Sequence, residues 1–112
     1  MKYYHNPRCR KSREGLTLLE SKGIFPEIIL YLKNPISKNE LASILSKLNI
    51  PAKDLIRKSE AIYKQQYKNQ TLSEDEFIEI MVENPILIER PIFTNENKGV
   101  LGRPPEKVLE II

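Results

Sequence analysis

A chain of 112 residues has the length of one domain, and 40% apolar against 29% charged residues is the balance of a folded globular domain, not of a disordered tail. The longest apolar run, Ile28 to Leu32, is far shorter than the ~20 residues that cross a bilayer, and the first residues lack a signal-peptide pattern, so the expected location is the cytoplasm. One cysteine and one histidine exclude an internal disulfide and disfavour zinc, while the net charge of +3 is unevenly placed, +5 over residues 1–56 and −2 over 57–112.

In chain order, Lys2-Tyr3-Tyr4 is a short β-prone start, and a helical pattern runs from about Lys11 to Lys22 with Gly23 as its stop. Glu27 to Leu32 reads as a buried strand ended by Asn34-Pro35. Ser37-Lys38-Asn39-Glu40 has the form of a capping box, and the helix it opens places Leu41, Ile44, Leu45 and Leu48 on one face. Residues 52 to 70 read as broken helix, with Tyr63 and Tyr67 four apart, and a second capping box, Ser73 to Glu76, opens a helix that stops near Asn84-Pro85. Leu87-Ile88, Ile92-Phe93-Thr94 and Val100-Leu101 are short strand candidates, the last two joined by the turn residues Asn95 to Gly99. Pro104-Pro105 then starts a helix that packs Val108, Leu109 and Ile112. The pattern is a strand, helix, strand unit, a helical region, and two strands with a closing helix, all in one domain over residues 1–112.

Cys9 is the residue with chemistry to offer. It falls between a predicted strand and a predicted helix start, in a stretch where Lys2, Arg8, Arg10, Lys11 and Arg13 have no acidic neighbour. Free N–H groups at a helix start, with cations nearby, favour a thiolate over a thiol and also bind tetrahedral oxyanions. His5, four residues earlier, adds charge or orients the loop. A lone cysteine is more often a small buried hydrophobe, and a basic cluster is more often a solvated face; the coincidence of the two weakens both readings. Ser12 stands where a Cys-x-x-Cys motif has its second thiol, so reduction of Cys9 needs an outside thiol, and Arg13 comes two residues too early for the Cys-x5-Arg loop of the cysteine phosphatases. The acidic second half and the lack of a recognisable motif argue against nucleic acid as a partner.

The stretch Tyr4-His5-Asn6-Pro7-Arg8-Cys9-Arg10-Lys11-Ser12-Arg13, with its His-x3-Cys-x3-Arg spacing, resembles the signature of the glutaredoxin-dependent arsenate reductase family, ArsC. Leu55 to Lys58, Pro85 to Ile92 and Gly102-Arg103-Pro104 resemble the three segments in which that family carries its oxyanion-binding arginines, so the resemblance covers essentially the whole chain in order. It implies an α/β, thioredoxin-like fold, a small mixed sheet flanked by helices with a helical insertion at about 37–84, and a cis bond between Arg90 and Pro91. It implies that Cys9 attacks arsenate, with His5, Ser12 and Arg13 completing the catalytic set and Arg57, Arg90 and Arg103 holding the oxyanion. No cofactor or metal is expected to be bound; glutathione and glutaredoxin are the implied external reductants, and the protein is expected to act as a monomer away from membranes and nucleic acid. Two alternatives come with the resemblance. Relatives of this fold include regulators that bind the RNA polymerase alpha subunit, which usually carry Cys-x-x-Cys here, and a family member with another natural substrate is equally consistent with the sequence.

Overall fold

The computed structural model describes residues Met1–Ile112. Four short strands form one mixed sheet: β1 (Lys2–Tyr4), β2 (Glu27–Ile29), β3 (Ile92–Thr94) and β4 (Gly99–Leu101), in the spatial order β2-β1-β3-β4. The β1–β2 pair is parallel, and β3 runs antiparallel to both β1 and β4. Helix α1 (Arg10–Ser21) makes the crossover from β1 to β2. Helices α2 (Lys38–Leu48), α3 (Ala61–Gln66) and α4 (Glu74–Glu83) lie between β2 and β3, and a 3₁₀ helix, Pro105–Ile111, follows β4. This is the α/β, thioredoxin-like arrangement with helices inserted before its second half. No helix is long and apolar enough to cross a membrane.

Alternation along the two central strands divides the core. Tyr3 and Phe93 pair across β1 and β3 and face one side with Leu19, Val100 and Val108, where α1 and the last 3₁₀ helix close over them. Tyr4 and Ile92, the next pair, face the other side, where Leu41, Ile44, Met81 and Leu87 come from the helical region. A period of two is what puts neighbours in sequence on opposite faces. Each buried aromatic removes roughly 150–250 Å² from water, an upper estimate of ~4–6 kcal/mol at ~25 cal/mol per Å².

Local sequence explains the element ends. Gly23, at φ +75°, takes the left-handed position after α1, and the Ile24 N–H reaches the Leu19 carbonyl at 3.0 Å to close the helix. Ser73 and Glu76 form the full reciprocal capping box. At α2 only half of the expected box is present. Ser37 accepts from the Glu40 N–H, but the Glu40 carboxylate takes the Tyr4 hydroxyl at 2.8 Å instead of turning back to the cap.

Three other expectations are corrected. The strand read as Glu27 to Leu32 ends at Ile29 and is an edge, with Ile28 42% exposed, because apolar content alone does not distinguish an edge from a centre. Leu87-Ile88 is not a strand: Pro85–Leu87 is a 3₁₀ turn, and Ile88 forms a single bridge with Ile56. The closing helix is 3₁₀, and it buries Val108 but leaves Ile112 56% exposed at the chain end.

Candidate active site

Sheet register brings four distant segments to one end of the sheet. Tyr4 is level with Ile29 of parallel β2 and with Ile92 of antiparallel β3, and Ile92 is level with Leu101 of β4. The chain leaving β1 toward Cys9, the residues just after β2 at Tyr31, those just before β3 at Arg90, and those just after β4 at Arg103 therefore gather at the same edge. The Ile56–Ile88 bridge, flanked by Arg57 N–H to Leu87 carbonyl (2.7 Å) and Glu89 N–H to Leu55 carbonyl (2.9 Å), adds Arg57 and Glu89. The peptide bonds Arg90-Pro91 and Arg103-Pro104 are both cis; the first was expected, the second was not.

Cys9 is the N-cap of α1 and is half-buried. It makes no capping hydrogen bond of standard geometry, yet the N–H groups of Lys11 and Ser12 face its sulfur from the first turn of the helix. Burial pushes its thiol pKa up. The Ser12 N–H, the Arg90 guanidinium acting through both hydrogen bonding and charge, and the Lys11 N–H together outweigh burial and hold the pKa below the ordinary 9.0. A lowered thiol pKa at this helix end is the outcome anticipated from the cation-rich sequence, but the cation that acts is Arg90, eighty-one residues away.

The loop that carries Cys9 is pinned from inside by Ser12. Its Oγ accepts the Asn6 N–H at 3.0 Å and lies 2.7 Å from His5 Nδ1, and its carbonyl accepts the Tyr3 hydroxyl at 2.6 Å. His5 is held below the ordinary 6.5 by burial and by the charge of Arg13, with Glu20 opposing, so the ring is neutral at pH 7. The neutral ring and the Ser12 hydroxyl share one hydrogen bond through Nδ1, which ties the imidazole to the loop. Arg13 pins the loop from outside, its Nη1 donating to the Pro7 carbonyl at 2.9 Å.

The three arginines singled out in the sequence do come together, but in different states. Arg57 is held by Glu60 (3.2 Å) and Glu89 (3.6 Å). Arg103 is held by Glu89 at 3.2 Å and donates to the Arg90 carbonyl at 3.1 Å. In contrast, Arg90 has Nε and Nη1 buried without any partner. With these two donors unmet and the rest of the guanidinium acting on Cys9, Arg90 is a ready receptor for an anion.

The ArsC family model matches residues 4–111. The chain belongs to the ArsC family. An arsenate reductase of Haemophilus influenzae is 50% identical over 97% of this chain and 96% of its own, and an uncharacterized protein of Escherichia coli K12 is 46% identical over 100% and 96%. An arsenate reductase structure from Vibrio cholerae superposes with a TM-score of 0.94 at 42% identity, covering 100% of this chain and 98% of that one.

Within the ArsC framework, sequence reasoning missed two residues that the structure puts at the site. Glu89 sits beside Arg90 in a segment already singled out for its arginine, and it binds the other two arginines. Tyr31 was hidden in what read as a buried strand, yet its hydroxyl experiences the charges of Arg90, Cys9, Arg57 and Glu89. No cluster of His, Cys, Asp and Glu is arranged to hold a metal ion.

Proposed function

We propose that this ArsC protein is a glutathione- and glutaredoxin-dependent arsenate reductase, working in the cytoplasm as a monomer with all of residues 1–112 as its catalytic domain. The observation that carries the reading is the half-buried Cys9 at the N-cap of α1, with the buried, unmet Nε and Nη1 donors of Arg90 beside it. The names of the relatives point to the same substrate.

In the first step the Cys9 thiolate forms a bond to arsenic, and one arsenate hydroxyl leaves with a proton as water; arsenic stays at oxidation state V. The bound oxyanion rests against Arg90 and the Lys11 and Ser12 N–H groups, while Arg57 and Arg103 exchange contacts with Glu89 for contacts with oxygen. Glutathione sulfur then bonds to arsenic and a second water departs. Glutaredoxin's thiolate attacks the glutathione sulfur, and the electron pair of the breaking S–As bond reduces arsenic to state III. Arsenite leaves by hydrolysis, Cys9 returns as a thiol, and glutaredoxin carries the mixed disulfide away. His5, Ser12 and Arg13 act as positioning residues that fix the loop.

A groove of about 390 Å³ runs beside the loop between His5–Arg8 and Leu30–Lys33, and its cations Arg8 and Lys33 suit the carboxylates of glutathione. The test is NADPH consumption with arsenate, glutathione, glutaredoxin and glutathione reductase. Turnover is expected for the wild type and none for Cys9→Ser, because a serine hydroxyl is a far weaker nucleophile near neutral pH. Wild-type protein that turns over no arsenate but retains the polymerase alpha subunit would overturn the reading in favour of a regulator.

A further inference from the structure

Four tyrosines lie buried in the core, Tyr63 at its margin with 9% exposure, and of the three deepest two have partners: Tyr3 donates to the Ser12 carbonyl and Tyr4 to the Glu40 carboxylate. Tyr31 does not. It is 1% exposed, packed in the larger core cluster with Tyr4, Ile56, Ile88 and Ile92, and its hydroxyl has no hydrogen-bond partner. A buried hydroxyl left in this condition is uncommon, since burial without a hydrogen bond is costly and cores normally satisfy such groups. Only two other buried side-chain atoms share it, Nε and Nη1 of Arg90.

The coincidence has a structural cause. Tyr31 follows β2 by two residues and Arg90 precedes β3 by two, and both strands are level with Tyr4 of β1 at the end where the chain turns toward Cys9. The buried side-chain donors left unmet thus belong to two segments that meet at the sheet end from which the chain leaves for Cys9. The carboxylates at the arginines, Glu60 and Glu89, are committed to Arg57 and Arg103 and give these donors no acceptor.

We propose that the Tyr31 hydroxyl is a fourth side-chain contact for the oxyanion, donating a hydrogen bond to an oxygen of the tetrahedral anion as it sits at Cys9 beside Arg90. The proposal deepens the arsenate reductase reading and rests on it. Burial is the main cause that raises the phenol pKa to about 12, so the hydroxyl keeps its proton, and its ability to donate, throughout the neutral range. A neutral donor complements Arg90 in a useful way: it recognises lone pairs without adding charge to a site that already holds a thiolate and several cations.

Tyr31→Phe removes the hydroxyl and leaves the ring, so it tests the hydroxyl alone. Because that hydroxyl has no partner in the free protein, thermal stability is expected to be unchanged or slightly higher. Protection of Cys9 from iodoacetamide by arsenate or sulfate is expected to weaken roughly tenfold or more, the scale of one hydrogen bond to a charged acceptor. KM for arsenate should rise while KM for glutathione stays put. Full protection in the variant, with or without a loss of stability, would overturn the proposal. If wild-type Cys9 is itself left unprotected by arsenate and turns none over, the reductase reading is what fails, and sulfate protection still decides the role of Tyr31.

Discussion

Replacing Ser12 by Ala separates a hydroxyl that acts on the sulfur from one that builds the loop. Ser12 is fully buried, and its Oγ is the sole side-chain partner of two groups, the Asn6 N–H at 3.0 Å and His5 Nδ1 at 2.7 Å. Asn6 and His5 are themselves buried, so water does not readily replace the lost oxygen. Leaving a buried polar group unmatched costs ~1–3 kcal/mol, and two such groups give about 2–6 kcal/mol. Against a total stability of roughly 5–15 kcal/mol that is a large fraction, and at about 4 °C per kcal/mol it lowers Tm by about 8–24 °C. The Ser12 N–H that faces Cys9 belongs to the backbone and survives the change. Thermal unfolding by circular dichroism under reducing conditions measures the first effect, and iodoacetamide alkylation of the folded protein against pH measures the second. The expected result is a large loss of stability with the thiolate still formed below the ordinary thiol range. A Tm within a few degrees of wild type, together with a Cys9 that titrates like a free thiol, would refute the argument and make the hydroxyl a direct partner of the sulfur.

Two further outcomes follow from the same site. Because the His5 pKa is depressed, the unfolded chain takes up that proton first as pH falls, so stability should drop as the pH passes below about 6.5; because the Cys9 pKa is depressed, the folded chain loses that proton first, so stability should rise with pH toward 9.0. Denaturant unfolding across this range checks both signs, His5→Asn removing the acid limb and Cys9→Ser the alkaline one. Glu89→Gln should release Arg57 and Arg103 from their shared carboxylate, strengthening arsenate or sulfate protection of Cys9 several-fold while lowering stability by about 1 kcal/mol, the range of partly exposed ion pairs; weaker protection would show that Glu89 aims the arginines instead of competing for them.

Much of the fold was readable because it is written in local signals. Ser73 and Glu76 three residues apart, Gly23 after the last apolar turn, and Asn95 before Gly99 each act through their own backbone neighbours, and each appears where the sequence placed it. Signals that depend on a distant partner were read less well. Glu40 three residues after Ser37 looks like a capping carboxylate until Tyr4 arrives to claim it. Ile28 looks buried until the strand order leaves it at an edge. The same division holds at the site. Cys9 and His5 stand out from adjacency, and Ser12, Arg13 and the three arginines from the family resemblance, whereas the ion pairs of Arg57 and Arg103 depend on Glu60 and Glu89, and the place of Tyr31 at the site end of the sheet depends on register.

The edge strand β2 has a bearing on how the protein behaves at high concentration. One side of it pairs with β1 and the other is open, and it lies between the exposed apolar side chains of Phe25 and Leu32 with Ile28 exposed in the strand itself. An open, apolar strand invites a second copy to add its own strand and begin aggregation. Here the invitation is short. The strand is three residues long, Pro26 precedes it with no N–H to give, and the Lys33 and Asn34 N–H groups that follow are both turned back onto the Leu30 carbonyl at 2.9 Å. An incoming strand would find too few backbone groups to hold. Solubility at this edge is thus secured by curtailing the ladder, which leaves the apolar side chains along β2 free to remain on the surface.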